Sequence, residues 1–294
     1  MELRVLRYFL AVAREENITA AAERLHVTQP TLSKQLKDLE DELGKTLFIR
    51  GKRKITLTDE GMFLRKRAQE IVDLADKTEA EFQADSDISG EIYIGGGETG
   101  AVKFIAKALS GLLKDHPNIR YNFVSGDGDD IAERLDKGLI DFGLFVGLID
   151  LKKYDHLILP ETDAWGLMLR RDNPLASHKY ITPDDLKGLP LLHSRQALSQ
   201  NELSGWLGYS TDELNLIGTH DLLYNEAIMV MEGIGSAITI DGMIETLEES
   251  ELCFRPFQPE IKARLVVAWK KYQVFSKPAT LFLEKLYDVV RENR

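Results

Sequence analysis

A single cysteine in 294 residues, Cys253, has no partner within the chain and so excludes an intrachain disulfide framework. No stretch approaches the roughly eighteen continuous apolar residues of a membrane span. The opening Met1 to Asn17 carries charges throughout, unlike a secretory leader. These absences point to the cytosol. No Gly-x-Ser-x-Gly elbow and no Walker loop appear, so an enzyme has no support in the sequence. The six histidines, at 26, 116, 156, 178, 193 and 220, show no metal-ligand spacing with one another or with Cys253, and no metal site is expected. What is present is a chain 44% hydrophobic, too apolar for disorder and long enough for two or three folded units.

Basic charge is also scarce. With 37 Lys and Arg against 48 Asp and Glu the net charge is −11, which taken whole argues against nucleic acid. The average hides a division. Residues 1 to 65 hold 12 basic and 10 acidic side chains, and Lys45 to Lys54 contains five cations with no acid. The acidity sits in the later segments.

Periodicity places a first amphipathic helix over Leu3, Leu6, Phe9, Leu10 and Ala13, ending near Glu16. A short second helix follows from Ile18 to Leu25, with Thr19 as its expected N-cap. Thr28 is placed to cap a third helix with Pro30 in its first turn, a buried stripe of Leu32, Leu36, Leu39 and Leu43, and Gly44 as the stop. Leu47 to Arg50 and Lys54 to Thr58 read as a hairpin around Gly51-Lys52-Arg53. From Asp59 to about Phe82, Leu64, Ala68, Ile71, Ala75, Thr78 and Phe82 recur at alternating spacings of four and three, a heptad seam that asks for a partner helix. A polar linker, Asp85 to Gly90, ends it. Beyond Gly90, apolar runs alternate with helical patterns in a βαβαβ order that implies a parallel sheet, restarting after Leu157 as a second α/β lobe.

Helix, tight turn, helix and basic hairpin make a winged helix-turn-helix, whose second helix enters the major groove of double-stranded DNA. The start of that helix offers Thr28, Gln29, Pro30, Thr31, Ser33 and Lys34. Gln29 and Thr31 suit base readout, since Gln can pair with adenine N6 and N7. Lys34, Arg50, Lys52, Arg53 and Lys54 suit phosphates.

Residues 2 to about 70 resemble the DNA-binding region of LysR-type transcriptional regulators. The matching words are Leu6-Arg7-Tyr8-Phe9, the run Thr19 to Ser33 (TAAAERLHVTQPTLS), Leu36 to Glu40, Leu43 to Phe48 and Leu57-Thr58-Asp59-Glu60-Gly61. The wing departs from the usual word, with a glycine and three extra charges in Ile49 to Lys54. The layout of the rest is similar too. The resemblance implies an N-terminal winged helix-turn-helix over 1–58, a linker helix over 59–88 that pairs two chains through Leu64, Ala68, Ile71, Ala75 and Phe82, and a two-lobed, periplasmic-binding-protein-like α/β effector domain over 89–294. Lobe I would take about 89–161 plus 267–294 and lobe II about 162–266. It further implies a homodimer or homotetramer on an interrupted palindrome, controlled by a small-molecule effector between the lobes.

On that resemblance the strand-to-helix loops face the effector: Thr99, Gly100 and Ala101, then Gly126 and Asp127, then Phe145 and Val146. From lobe II come Ser194, Arg195, Asp221, Asn225 and Thr239. Arg195, whose planar fork suits a carboxylate, is the leading residue. Glu98 disfavours an anionic effector and points to a zwitterionic or neutral polar one. Two other readings stand beside this one. Gly95, Gly97 and Gly100 fit the dinucleotide spacing G-x-G-x-x-G, which would make a winged-helix repressor sensing a dinucleotide, although the acidic residue expected about twenty positions on is absent. A solute-binding protein without DNA activity would explain the lobes but not residues 1–58. Asp127, Asp129 and Asp130 lack the remaining positions of a calcium loop and read as a helix N-terminal cap.

Overall fold

The computed structural model describes residues 1–51, 54–82, 88–147, 150–194, 203–242 and 251–293, with Arg50 and residues 80–82 described for their backbone alone. The chain forms two compact units, Met1–Gln83 and Ala84–Arg294.

In the first unit α1 (Leu3–Glu15), α2 (Ile18–Arg24) and α3 (Gln29–Leu43) precede the hairpin β1 (Phe48–Arg50) and β2 (Ile55–Leu57), and α4 (Asp59–Phe82) follows. The α2 cap differs from expectation. Asn17, not Thr19, accepts from the backbone N–H groups of Thr19 and Ala20 at 2.9 and 3.1 Å, because the chain is already helical at Ile18. Thr28 stands at the N-cap of α3 but makes no cap hydrogen bond. Gly44 ends α3 in the left-handed conformation, φ 63°. The core gathers Phe9, Val12, Ala21, Leu32, Leu36 and Phe48, with the Phe9 and Phe48 rings 5.2 Å apart.

Two polar contacts tie the hairpin to its neighbours. The Glu40 carboxylate of α3 accepts from the N–H groups of Leu47 (2.7 Å) and Phe48 (3.2 Å). Thr58 accepts from Gly61 N–H at 3.0 Å, capping α4, while its hydroxyl donates to the Thr46 carbonyl at 2.7 Å. Gly61 is obligatory there: a Cβ would lie 2.2 Å from the Leu47 carbonyl oxygen. The Leu57-Thr58-Asp59-Glu60-Gly61 word is thus the physical splice between wing and linker helix.

The second unit contains β3 (Gly90–Gly96), α5 (Val102–Asp115), β4 (Ile119–Ser125), α6 (Gly128–Asp136), β5 (Phe142–Val146), β6 (Tyr154–Arg170), β7 (Leu191–Ser194), α7 (Ser204–Leu207), β8 (Leu216–His220), α8 (Leu223–Met231), β9 (Ser236–Ile240), β10 (Leu252–Pro256), β11 (Lys262–Lys270) and α9 (Lys277–Glu292). The strands run in the order β4-β3-β5-β11-β6-β9-β7-β8, with β10 also on β6. The expected parallel sheet is mixed. β3 pairs in parallel with β4 and β5, and β7 with β8 and β9, but β6, β10 and β11 are antiparallel to their neighbours.

The reason is that β6 and β11 are the return strands between lobes. β6 pairs with β11 over Tyr154–Ile158 and again over Thr162–Ala164, with a register shift between Arg264 and Val266, and then passes to β9 and β10. One core packs Phe104, Leu112, Phe142, Val267 and Phe282 beneath α5 and α9. Another packs Leu167, Leu191, Ile238 and Phe257 on the far side of the crossing.

Candidate DNA-recognition surface and effector cleft

The start of α3 presents its polar residues outward. Thr28, Gln29, Pro30, Thr31 and Lys34 are exposed and Ser33 half-buried, while Leu32 and Leu36 on the opposite face are buried. The exposed groups hold one another: Thr28 and Thr31 hydroxyls lie 2.8 Å apart, and the Gln29 amide donates to Ser33 Oγ at 2.9 Å. Such bonds at the surface are exchangeable for base edges without leaving a buried group unpaired. Pro30 has no N–H to lose, so it begins the helix without an orphan donor.

The wing turns tightly, Gly51 N–H donating to the Lys54 carbonyl at 3.0 Å. Lys54 pairs with Glu16 at 2.5 Å, so its charge is already partly answered within the protein. Lys52 and Arg53 lie outside the described residues, and Arg50 is placed only as the last residue of β1.

The linker seam needs correction. Leu64 and Ala68 are buried in the core of their own unit beside Phe9 and Val12, joined by Val72, and so do not lie open to a second chain. The α4 apolar side chains that reach solvent are Met62, Phe63, Ile71 and Leu74, with Ala75 half-buried. The helix needs one face for α1 before it has another to offer, so Leu64 and Ala68 turn inward while Ile71 stays open and Ala75 half-buried. Phe82 is described only as the helix end.

In the sensor, Thr99 is buried: its hydroxyl donates to Asp163 Oδ2 at 2.6 Å and accepts from Ala101 N–H at 3.1 Å. Burial raises the Asp163 carboxyl above its ordinary range, with Thr99 opposing and Asp241 adding to the rise. Gly100 is exposed beside the Gly242 carbonyl, 4.0 Å from where a Cβ would sit. Gly126 donates to Gly96 O at 3.2 Å. Asp127 accepts from Asp130 N–H at 2.9 Å, the helix cap the sequence indicated. Ser194 ends β7, Thr239 is buried in β9 opposite Gly166, and Asp221 lies exposed just before α8.

Two expected effector residues belong to the core. Phe145 packs among Ile131, Leu135, Ile140 and Val266, and Ala101 among Ile94, Phe104 and Ile105, because the side chain at each position points beneath the sheet or helix end. Arg195 lies outside the described residues.

The structure gives Glu98 a partner and brings forward other residues the sequence did not single out. Glu98 Oε2 accepts from Leu223 N–H at 2.5 Å, joining the loop after β3 to the start of α8 across 125 positions. His193, fully buried on β7, has neither ring nitrogen in a hydrogen bond, and desolvation pushes it down to about 4. His220 Nδ1 lies 3.4 Å from Glu226 Oε1. Burial pushes His220 down to about 4 and Glu226 up, so each is shifted toward its uncharged form. Trp165 stands edge-on to His193 at 6.2 Å, its indole N–H without an acceptor. Spacing carries no trace of this group, because strand pairing rather than proximity in the chain assembles it.

The first of the fingerprint glycines serves packing. A Cβ on Gly95 would lie 2.8 Å from Ile140 and 2.9 Å from Ile131, so this glycine lets α6 and the segment leading into β5 approach the sheet.

An exposed polar row on a recognition helix, a hairpin wing and a two-lobed mixed sheet define a winged-helix regulator joined to a ligand sensor. Residues 3–62 match the model of the bacterial regulatory helix-turn-helix protein, lysR family, and residues 85–291 match the LysR substrate binding domain. The chain therefore belongs to the LysR family of DNA-binding transcriptional regulators, with a C-terminal effector-binding domain. Among its relatives is the Hca operon transcriptional activator HcaR of Escherichia coli K12, 29% identical over 283 residues, 95% of this chain and 94% of that protein. The transcriptional regulator BsdA of Bacillus subtilis 168 is 37% identical over 151 residues, 51% of this chain and 52% of its own. The crystal structure of CbnR, a LysR family transcriptional regulator, shares the fold with TM-score 0.73 at 20% identity over 99% of both chains. Full-length CbnR complexed with its target DNA superposes at TM-score 0.70 with 22% identity, covering all of both chains. The two matches give no support to a winged-helix repressor sensing a dinucleotide or to a solute-binding protein without DNA activity. Among the described residues, no helix is long and apolar enough to cross a membrane.

Proposed function

We propose that this chain acts as a homo-oligomer on an interrupted palindromic operator in the cytoplasm, as a regulator and not an enzyme, with 1–58 contacting DNA, 59–88 pairing two chains and 89–294 sensing a small molecule. The observation that carries the reading is the exposed polar row Thr28, Gln29, Thr31 and Lys34 on the first two turns of α3. Gln29 and Thr31 read bases; Thr28 and Ser33 support them; Lys34 and the wing cations Arg50, Lys52, Arg53 and Lys54 hold phosphates. With a net charge of −11, one unit binds DNA weakly, and pairing gathers enough phosphate contacts for useful affinity.

Pairing uses the solvent-facing stripe Phe63, Ile71 and Leu74 of α4. The effector lies between the lobes near Thr99, Gly100, Gly126, Ser194, Arg195, Asp221 and Thr239, and β6 and β11, which alone cross in the described residues, are the hinge. A ligand that prefers one degree of closure shifts the spacing of the paired winged helices. The test is footprinting of the full-length protein with and without metabolites that raise its thermal midpoint. A ligand-dependent change in footprint length or DNA bending is expected; an unchanged footprint at saturating ligand overturns the mechanism.

A further inference from the structure

Four N–H groups of the segment leaving the recognition helix end on one residue. The Glu40 carbonyl, in the last turn of α3, accepts from Gly44 and from Lys45, the second at 3.1 Å. Its side-chain Oε1 accepts from Leu47 at 2.7 Å and from Phe48 at 3.2 Å. Leu47 and Phe48 are both buried, so these two donors have little water to turn to. The partner strand cannot serve Phe48 either. Thr58 N–H donates to the Leu47 carbonyl at 3.0 Å, which makes Phe48 and Leu57 a non-hydrogen-bonded pair whose N–H groups point away from each other. By its place alone Glu40 is unwelcome: the last turn of α3 holds no basic residue, and a carboxylate there opposes the helix dipole and repels phosphate. The Phe48 ring lies 5.2 Å from that of Phe9, a contact that holds the base of β1 in the core but sets no direction. Direction comes from the two bonds to one oxygen.

We propose that Glu40 is a positioning residue for operator binding: its carboxylate fixes the angle at which the wing leaves α3, so that Arg50, two residues beyond Phe48 in β1, meets a phosphate while Gln29 and Thr31 stand at base edges. This rests on the reading that α3 reads bases and the wing holds phosphates. A helix and a wing that must engage one duplex together gain affinity from being held in the right relation before they meet it. Charge alone makes the opposite prediction, since removing an acid from a DNA-binding unit strengthens its attraction to phosphate. The two accounts therefore differ in sign.

The test is binding of the full-length protein to an operator obtained by binding-site selection, at several salt concentrations and well below each variant's thermal midpoint. Glu40→Ala is expected to weaken binding about tenfold and to make the salt slope shallower by about one per chain, the signature of a lost phosphate contact. Both bonds go to Oε1, which a glutamine amide can also offer, so Glu40→Gln is expected to stay within about twofold of wild type. Arg50→Ala is expected to reduce affinity and slope in wild type but to add little in Glu40→Ala, because the contact is already gone. Equal affinity in Glu40→Ala and Glu40→Gln overturns the proposal, as does an Arg50→Ala cost that is undiminished in Glu40→Ala. Should Glu40→Ala not fold, Glu40→Asp decides, keeping the charge while withdrawing the oxygen by one methylene: weaker binding with a smaller Arg50→Ala cost supports the role, and wild-type binding rejects it. If Arg50→Ala costs nothing in wild type, the wing reading falls by itself, and the contrast between alanine and glutamine at position 40 alone decides Glu40.

Discussion

In the DNA-binding unit the residues proposed to read bases sit between Thr28 and Lys34 on one helix, whereas the sensor's polar groups come from Glu98, Asp163, His193, His220 and Thr239 on separate strands and loops. The first arrangement is solvent-exposed and its side chains bond only to near neighbours. The second is buried or half-buried, and its bonds span 64 and 125 positions. A surface that reads DNA must stay open to exchange hydrogen bonds with bases, so local helix geometry suffices. A sensor must remove its ligand from water and report on lobe closure, so its contacts have to join distant parts of the chain.

The contrast can be broken most severely at Gly61. Gly61→Val drives side-chain atoms into the Leu47 carbonyl and is expected to destabilise the first unit by about 3 kcal/mol, while the sensor's own unfolding stays put. Urea melts followed by probes in each unit check this; equal loss in both would show that the units do not fold separately. The next effect belongs to the sensor and to pH. A buried histidine pushed down to about 4 stays neutral while the unfolded ring begins to charge near 6.5, so stability is lost as pH falls from 6.5 toward 4 and the loss levels off below. For His193 this amounts to about 2 kcal/mol at pH 5. The measurement is the slope of sensor stability against pH, which should fall by about half in His193→Phe because His220, also pushed down to about 4, keeps its share; an unchanged slope assigns the loss elsewhere.

Smaller again is Gln29→Ala, expected to cost about 1 to 2 kcal/mol on an operator obtained by binding-site selection, with little loss on random DNA. Equal losses on both would move Gln29 from base readout to phosphate contact. Last comes Glu16→Gln, which frees Lys54 from its 2.5 Å partner. Here the expected gain in DNA affinity is under about 1 kcal/mol, with a salt slope steeper by about one, read from binding isotherms at several salt concentrations.

Much of the first unit was legible because its signals are local. The α3 boundaries follow from Pro30, the leucine stripe and Gly44, and the hairpin from two β-prone runs around a glycine. Even there the cap on α2 moved to Asn17, since which of two nearby polar residues bonds the first turn depends on where the chain enters it. Leu64 and Ala68 of the α4 seam turned inward for a related reason: a period of 3.5 gives the spacing of a stripe but not which part of it the neighbouring helix has already covered. In the sensor the strands were visible, yet the antiparallel returns β6 and β11 were not, because strand direction is a property of the pairing.

By itself the sequence determined the recognition helix, the wing, the linker and the α/β character of the sensor, because helix stops, hairpin turns and apolar periods act within a few residues of one another. Only the tertiary structure decided that Leu64 and Ala68 face inward, that Phe145 belongs to the core, that Gly95 is a packing glycine, and that Glu98 caps a helix begun by Leu223. Those outcomes depend on which groups meet after the chain has folded back on itself, and burial and hydrogen bonding across such distances leave no period in the sequence to read.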